Sequence, residues 1–115
     1  MERIIKISNK DYKMKASALT QFSYKNETGR SFLKDLQKLT SLNSKDIDMD
    51  TLDEIAELVL KVAYVMVREA DKTQITNYED FLSNIENLYD NIDWINDVLE
   101  LACSPLSGQL QKNKN

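Results

Sequence analysis

Two short segments near the start of the chain alternate between apolar and polar residues. The segments are 3–7 and 12–16, and their apolar positions on one side are Ile5, Ile7, Tyr12, Met14 and Ala16. This period of two is typical of β-strands with one buried face. Because Ser8 to Asp11 tolerate turn conformations, we predict a hairpin over 3–16 with a tight loop around Asn9-Lys10. Two strands alone are marginally stable, so we expect the hairpin to lie on helices or to pair with another chain.

Two amphipathic segments follow, with apolar residues at helical spacing. The first begins at Ser17, a suitable N-cap, and ends near Gly29, the residue best suited to a left-handed helix stop. The apolar positions are Leu19, Phe22 and Tyr24 in the first helix and Phe32, Leu33, Leu36 and Leu39 in the second. Residues 40–50 are polar, and we expect a loop there.

The third predicted helix is the most apolar element. Thr51 and Glu54 have the spacing of a capping box, so we expect the helix to begin there. From Leu58 to Val67 only Lys61 is charged, and the pattern continues to about Ala70. A helix that is apolar nearly all round is contacted on several sides, so this one is predicted to lie at the centre of the domain.

Two shorter amphipathic helices complete the pattern. Thr76 and Glu79 repeat the capping-box spacing. The segment from Asn87 to Asn91 is expected to break the first of the two helices, and Pro105 is expected to end the second. Their apolar positions are Tyr78, Phe81, Leu82 and Ile85 in the fourth helix and Ile92, Ile95, Val98, Leu99 and Ala102 in the fifth.

The whole pattern predicts an α+β, mainly α fold. An N-terminal β-hairpin (3–16) precedes about five helices around the central apolar helix, and all of them belong to a single domain over 1–104. Residues 105–115 are predicted to form a polar flexible tail. A length of 115 residues and an apolar content of 42% fit one folded domain.

The cysteine and histidine content narrows the chemistry. The chain has no histidine and one cysteine, Cys103, which excludes internal disulfides, Cys/His zinc sites and nucleophile–histidine pairs. Carboxylates one helical turn apart, such as Asp53 and Glu57, are typical of a solvated acidic face. We therefore expect a protein that is not an enzyme and binds no cofactor. The longest apolar run is too short to span a membrane, so we expect a cytosolic protein that does not bind membranes.

One acidic segment imitates a calcium site. Alternating acids from Asp46 to Asp50, with Glu57 at the twelfth position, follow the ligand order of an EF-hand loop. Thr51 stands where that loop needs glycine, and Asp53 stands where it needs an apolar anchor. We therefore interpret the acids as favourable charges at a helix N-terminus.

Charge is distributed unevenly along the chain. Residues 1–45 carry a net charge of +6, residues 46–104 carry −12 and the remaining residues carry +2, which gives −4 for the chain. The acidic part would repel phosphate, so nucleic acid is not an expected partner. The two parts are expected either to attract each other, within one molecule or head to tail in a weak homo-oligomer, or to form two differently solvated surfaces.

Aromatic residues are the candidate contacts for a protein partner. Tyr24, Tyr89 and Trp94 combine a large apolar area with a polar group, which suits an interface. The alternative for each is a position in the core, and the core is the expected position of Tyr64 inside the central helix.

Three segments, taken in order, carry a family resemblance. They are Tyr24 to Leu36, which contains Thr28-Gly29 and Phe32-Leu33; the apolar third helix; and the helix start from Tyr78 to Leu82. Together with the preceding hairpin they resemble the tail assembly chaperones of long-tailed (siphovirus-type) phages of Gram-positive hosts. The likeness covers about residues 3–103, and none of its segments is a catalytic signature.

The resemblance implies a chaperone that binds the tape measure protein and keeps it soluble before tail tube subunits polymerise around it. The tail tube protein is then a further expected partner. Such a protein works in the host cytoplasm and is absent from the mature virion. The family commonly makes a longer product by translational frameshifting near the end of the short form, and the ending Gln111 to Asn115 would suit it.

A second hypothesis belongs to a different class. The composition also fits a small acidic regulatory adaptor or inhibitor that binds one folded host or phage target about one to one. A chaperone would instead bind a long helical protein in many copies, so partner and stoichiometry separate the two.

Overall fold

The computed structural model describes residues 1–41 and 48–106. Its elements are β1 (Glu2–Ile7), β2 (Lys10–Lys15), α1 (Ala18–Thr28), α2 (Phe32–Ser41), α3 (Met49–Ala70), α4 (Tyr78–Ser83) and α5 (Asp93–Cys103), followed by a 3-10 turn (Ser104–Leu106). The predicted α+β, mainly α fold is confirmed, with the hairpin first and the helices after it. Residues 42–47 of the predicted loop and 107–115 of the predicted tail lie outside the described residues.

The two strands form an antiparallel hairpin in which Ile7 faces Lys10. The connecting residues are Ser8 and Asn9, whose φ angles are 52° and 68°. Two consecutive residues with positive φ form the tight turn whose twist matches that of the flanking strands. The predicted loop at Asn9-Lys10 is therefore wrong by one residue, because Lys10 already pairs with β1.

The inner face of the hairpin closes one side of the core. As predicted, its buried residues are Ile5, Ile7, Tyr12, Met14 and Ala16. β1 packs on α5, whereas β2 packs on α3. The ring of Tyr12 also meets Phe81 of α4 edge to face, with 5.3 Å between ring centroids. The helices thus supply the support that two strands lack on their own.

α3 is the centre of the fold, as its apolar pattern predicts. Every residue from Leu58 to Val67 is buried except Lys61. The helix contacts β2 and each of α1, α2, α4 and α5. Contacts on several sides explain why residues 58–67 lack the polar stripe of an amphipathic helix.

The start of α3 corrects the predicted capping box. Asp48 is the N-cap, and its Oδ1 accepts a hydrogen bond from the N–H of Thr51 at 2.8 Å. That bond lowers the pKa of Asp48 below its ordinary value. The prediction that Thr51 and Glu54 begin the helix is wrong, because Asp48 already caps it and Glu54 forms an ion pair with Lys38 of α2.

The start of α4 also differs from the prediction by one residue. The N-cap is Asn77 and not Thr76, since Asn77 Oδ1 accepts from the N–H of Asp80 at 2.8 Å. In return Asp80 Oδ2 accepts from the N–H of Thr76 at 2.9 Å. Asn77 thus satisfies a main-chain donor that the first helical turn leaves free, and Asp80 satisfies the main-chain donor of the residue before the cap.

α1 buries a different face from the predicted one. Its ends are confirmed, with a capping box at Ser17 and Gly29 in the left-handed conformation. Its buried residues are Thr20 and Tyr24, whereas Leu19 and Phe22 are exposed. The hydroxyls of Ser17 and Thr20 each donate to a carboxylate oxygen of Glu69 on α3 at 2.6 Å. This polar contact and the burial of Tyr24 therefore orient the helix, whereas two of its three predicted apolar positions face outward.

α5 likewise buries a shifted face. Its buried residues are Trp94, Ile95, Val98, Leu101 and Ala102. The predicted core position of Ile92 is wrong, because the helix begins at Asp93 and Ile92 lies exposed before its first turn. Trp94 occupies that place instead, one and two turns before Val98 and Leu101.

Candidate protein-binding site

The structure separates the three aromatic residues predicted as partner contacts. Tyr24 is 0% exposed and Trp94 is 2% exposed, whereas 41% of Tyr89 is exposed. Tyr24 and Trp94 therefore occupy core positions and fix neighbouring segments in place. Of the three, Tyr89 presents surface that a partner can contact.

Tyr24 ties α1 to α2 through a buried carboxylate. Its hydroxyl donates to Asp35 Oδ2 at 2.6 Å, and Arg30 donates to both oxygens of Asp35 at 2.8 and 3.0 Å. Burial alone would raise the pKa of Asp35, but the hydrogen bonds from Arg30 and Tyr24 outweigh it and lower that pKa. Burial and the contact with Asp35 raise the pKa of Tyr24. The network holds α1 against α2, and the charges of Arg30 and Asp35 in it are paired with each other.

Trp94 positions the segment that leads from α4 to α5. Its indole Nε1 donates to the carbonyl oxygen of Leu88 at 2.9 Å. Leu88 and the neighbouring Tyr89 lie in that connecting segment. The buried tryptophan thus fixes the main chain next to Tyr89.

An open groove of about 300 Å³ lies beside Tyr89, between α3 and α4. We call it the α3–α4 groove. Its lining residues are Asp53, Ala56, Glu57 and Leu60 of α3, Tyr78 and Leu82 of α4, and Ile85, Leu88 and Tyr89 of the connecting segment. The four α3 residues have the i, i+3, i+4, i+7 spacing of a single helix face.

The groove combines an apolar floor with an acidic rim. Ala56 and Leu60 are buried at its base, whereas Asp53 and Glu57 are exposed at its edge. The hydroxyl of Tyr89 donates to Asp53 Oδ1 at 2.8 Å, and this bond raises the pKa of Tyr89. Such a surface suits an apolar segment with basic residues beside it.

Aromatic packing holds the α4 wall of the groove. The ring of Tyr78 meets Tyr64 of α3 edge to face, with 5.3 Å between centroids. Burial, followed by the charge of Glu57, raises the pKa of Tyr78. Tyr64 in turn accepts a hydrogen bond from Arg68 Nη1 at 3.0 Å. The expected core position of Tyr64 is confirmed.

The apolar pattern of this region is visible in the sequence, but the groove is not. The predicted buried face of the fourth helix includes Leu82 and Ile85, whereas Leu82 is exposed and Ile85 is half-buried at the groove wall. Leu88 lies outside any helix, so helical spacing gives no signal for it. The available signal in the sequence is the i, i+3, i+4, i+7 set on α3, which has acids at its first and third positions.

A second apolar surface lies on α1. Phe22 is 63% exposed, and Leu19 is exposed nearby on the same helix. Leu19 also lines an open cavity of about 260 Å³ between α1 and α3, whose rim includes Arg68 and Lys72. Glu27 and Glu69 line the same cavity, so its charge is mixed, whereas the charged residues that line the α3–α4 groove are both acids.

The uneven charge along the sequence is partly used inside one molecule. Arg3 donates to Asp97 at 3.1 Å and to Glu100 at 3.0 Å, so the basic hairpin is joined to the acidic α5. Lys38 of α2 forms an ion pair with Glu54 of α3. These contacts agree with attraction between the two parts within the chain.

In residues 1–41 and 48–106, no group of three or more Cys, Asp or Glu side chains is arranged to hold a metal ion. Nor does any helix in this described part have the length and apolarity that a membrane span requires.

Comparison of the chain with profiles of known protein families, with curated proteins and with solved structures finds no match.

Proposed function

We propose that the protein is a binding protein of chaperone type, and that its α3–α4 groove holds an apolar helical segment of another protein. The observation that carries the proposal is the groove itself, in which an apolar floor lies open beside exposed Leu82 and Tyr89. A helix placed in such a groove contacts it through side chains one turn apart, and each buried leucine-sized side chain contributes about 1.5–3 kcal/mol.

The acidic rim selects the partner. Asp53 and Glu57 favour a segment whose apolar residues are flanked by lysine or arginine, and they disfavour acidic segments. In the phage hypothesis the partner is the tape measure protein, which the chaperone keeps soluble in the host cytoplasm, and the tail tube protein is a further partner. The finished virion then lacks the chaperone. The long partner offers many such segments, so many copies bind to it.

Co-expression with the tape measure protein encoded in the same genome tests the proposal. We expect that protein to become soluble and to co-purify with several copies of this chain. Leu82→Ser removes an exposed apolar side chain from the groove, and we expect about a tenfold loss of co-purified partner. Leu33→Ser is the matched control, because Leu33 is also exposed but lies on α2 and does not line the groove.

Thermal unfolding of both variants shows first that each is folded. A tape measure protein that stays insoluble beside a folded, unbound chain contradicts the chaperone proposal. Binding of one folded target at a ratio of one to one supports the adaptor or inhibitor hypothesis instead. Equal losses in Leu82→Ser and Leu33→Ser would remove the groove from the proposal.

A further inference from the structure

The hydrogen bonds of the hairpin leave one strand edge open. Met1 and Ala16 exchange main-chain hydrogen bonds at 2.9 Å in both directions. In the observed register the next pairs of this kind are Arg3 with Met14 and Ile5 with Tyr12. The main-chain groups of the intervening residues Glu2, Ile4 and Lys6 therefore point away from β2, and none of them has a hydrogen-bond partner in residues 1–41 and 48–106.

The middle of the opposite edge is occupied by a side chain. The N–H of Lys13 donates to Gln74 Oε1 at 2.9 Å, and Gln74 Nε2 donates to the carbonyl oxygen of Lys13 at 2.8 Å. A side-chain amide thus takes the place of a neighbouring strand on β2. Open strand edges favour pairing with another chain. On the β1 edge, no side chain of the described residues bonds to the main chain of Glu2, Ile4 or Lys6.

The open edge is complementary to itself. If two β1 strands run antiparallel with Ile4 facing Ile4, Glu2 of each copy faces Lys6 of the other. These are the residues whose main-chain groups point outward, so side-chain charge and main-chain donors match in the same register. A contact in which the same surface serves both copies closes into a two-fold symmetric dimer.

We propose that β1 pairs antiparallel with β1 of a second copy of this chain, which extends the hairpin to a four-stranded sheet. The pairing adds up to about six main-chain hydrogen bonds, two for each facing pair of residues. Ile4, 65% exposed on the outer face, covers its counterpart across the two-fold axis.

Space is available at both ends of the strand. An open cavity of about 860 Å³ adjoins Glu2 and Arg3, and another of about 280 Å³ adjoins Lys6. α5 lies on the inner side, where Arg3 reaches Asp97 and Glu100. The interface is one short strand wide, and interfaces of small area are weak.

Sedimentation over about 10 µM to about 1 mM, a range suited to weak contacts of small area, tests the proposal. We expect a reversible monomer–dimer equilibrium. Ile4→Pro removes an N–H that points away from β2, a position where a strand tolerates proline, and it should abolish the dimer. Lys15→Pro is the matched control, because its N–H points to the β2 edge and the dimer should persist.

Amide hydrogen exchange of the unaltered chain keeps the proposal testable if a proline variant fails to fold. Raising the concentration from the monomer to the dimer range should slow exchange at Ile4 and Lys6 by about tenfold or more. Tyr12, already bonded to Ile5, should not change. A monomer at about 1 mM overturns the proposal, as does a dimer that survives Ile4→Pro or leaves the Ile4 amide unprotected.

Discussion

Two buried tyrosines of the core differ in the hydrogen bonding of their hydroxyl groups. Tyr12 and Tyr24 are both fully buried, and each ring meets a phenylalanine edge to face at 5.3 or 5.4 Å. The hydroxyl of Tyr24 donates to Asp35, whereas that of Tyr12 has no hydrogen-bond partner among the described residues. A satisfied buried hydroxyl stabilises the fold, and an unsatisfied one costs desolvation free energy.

Replacing each tyrosine by phenylalanine should therefore have opposite effects. We expect Tyr24→Phe to lower the free energy of unfolding by about 1–3 kcal/mol, because a charged acceptor loses its donor. Tyr12→Phe should leave that free energy unchanged or raise it by up to about 1 kcal/mol. Urea unfolding midpoints, compared at equal slope, measure both. A similar loss in the two variants would show that Tyr12 has a partner after all.

At the scale of the element, helix ends depend on single residues. α1 stops where Gly29 adopts a φ of 71°, and its N–H donates to the carbonyl oxygen of Lys25 at 2.8 Å. A Cβ added to Gly29 would meet no described atom within 4 Å. The requirement for glycine is therefore conformational and not steric crowding by a neighbour.

Gly29→Ala isolates that conformational cost. We expect the free energy of unfolding to fall by about 1–2 kcal/mol, the cost of a left-handed residue that carries a Cβ. Gly29→Asn should lose less, because asparagine tolerates this conformation better. Thermal or urea unfolding gives the comparison. Equal stability of the glycine and alanine proteins would mean that α1 ends differently in solution.

The number and type of elements could be predicted from the sequence, because periodicity reports which face is buried. Details that depend on a contact with a residue distant in sequence could not be predicted. Hydropathy gives no reason to bury Thr20, which is turned inward by Glu69 on another helix. Glu54 does not complete the predicted capping box of α3, since it forms an ion pair with Lys38 of α2. The groove was missed for a similar reason, since its walls meet only after α4 and its connecting segment fold back on α3.

At the scale of the whole molecule, buried tyrosines in three elements make the stability of the fold depend on pH. Burial is the first cause of a raised pKa in Tyr12 of β2, Tyr24 of α1 and Tyr78 of α4. Each of these side chains has an ordinary pKa of 10.0. Between that value and the higher pKa in the folded state, the unfolded chain ionises while the folded chain does not.

Stability should consequently decline at alkaline pH. The contribution of the three tyrosines is fully present below about pH 10 and is lost as the pH rises through their folded pKa values. We expect urea midpoints to be level from about pH 8 to about pH 9.5 and to fall above that. Tyrosinate absorbance should appear together with unfolding. Full ionisation of all the tyrosines in a still folded chain would contradict this expectation.

The bond between Trp94 and Leu88 has an optical consequence. Trp94 is the only tryptophan in the chain, and its indole N–H ends on the carbonyl of a residue that lines the α3–α4 groove. The wavelength of indole emission shifts with the polarity and hydrogen bonding around the ring. A ligand that shifts Leu88 therefore alters the fluorescence of one known residue, and the protein reports occupancy of the groove without any attached dye.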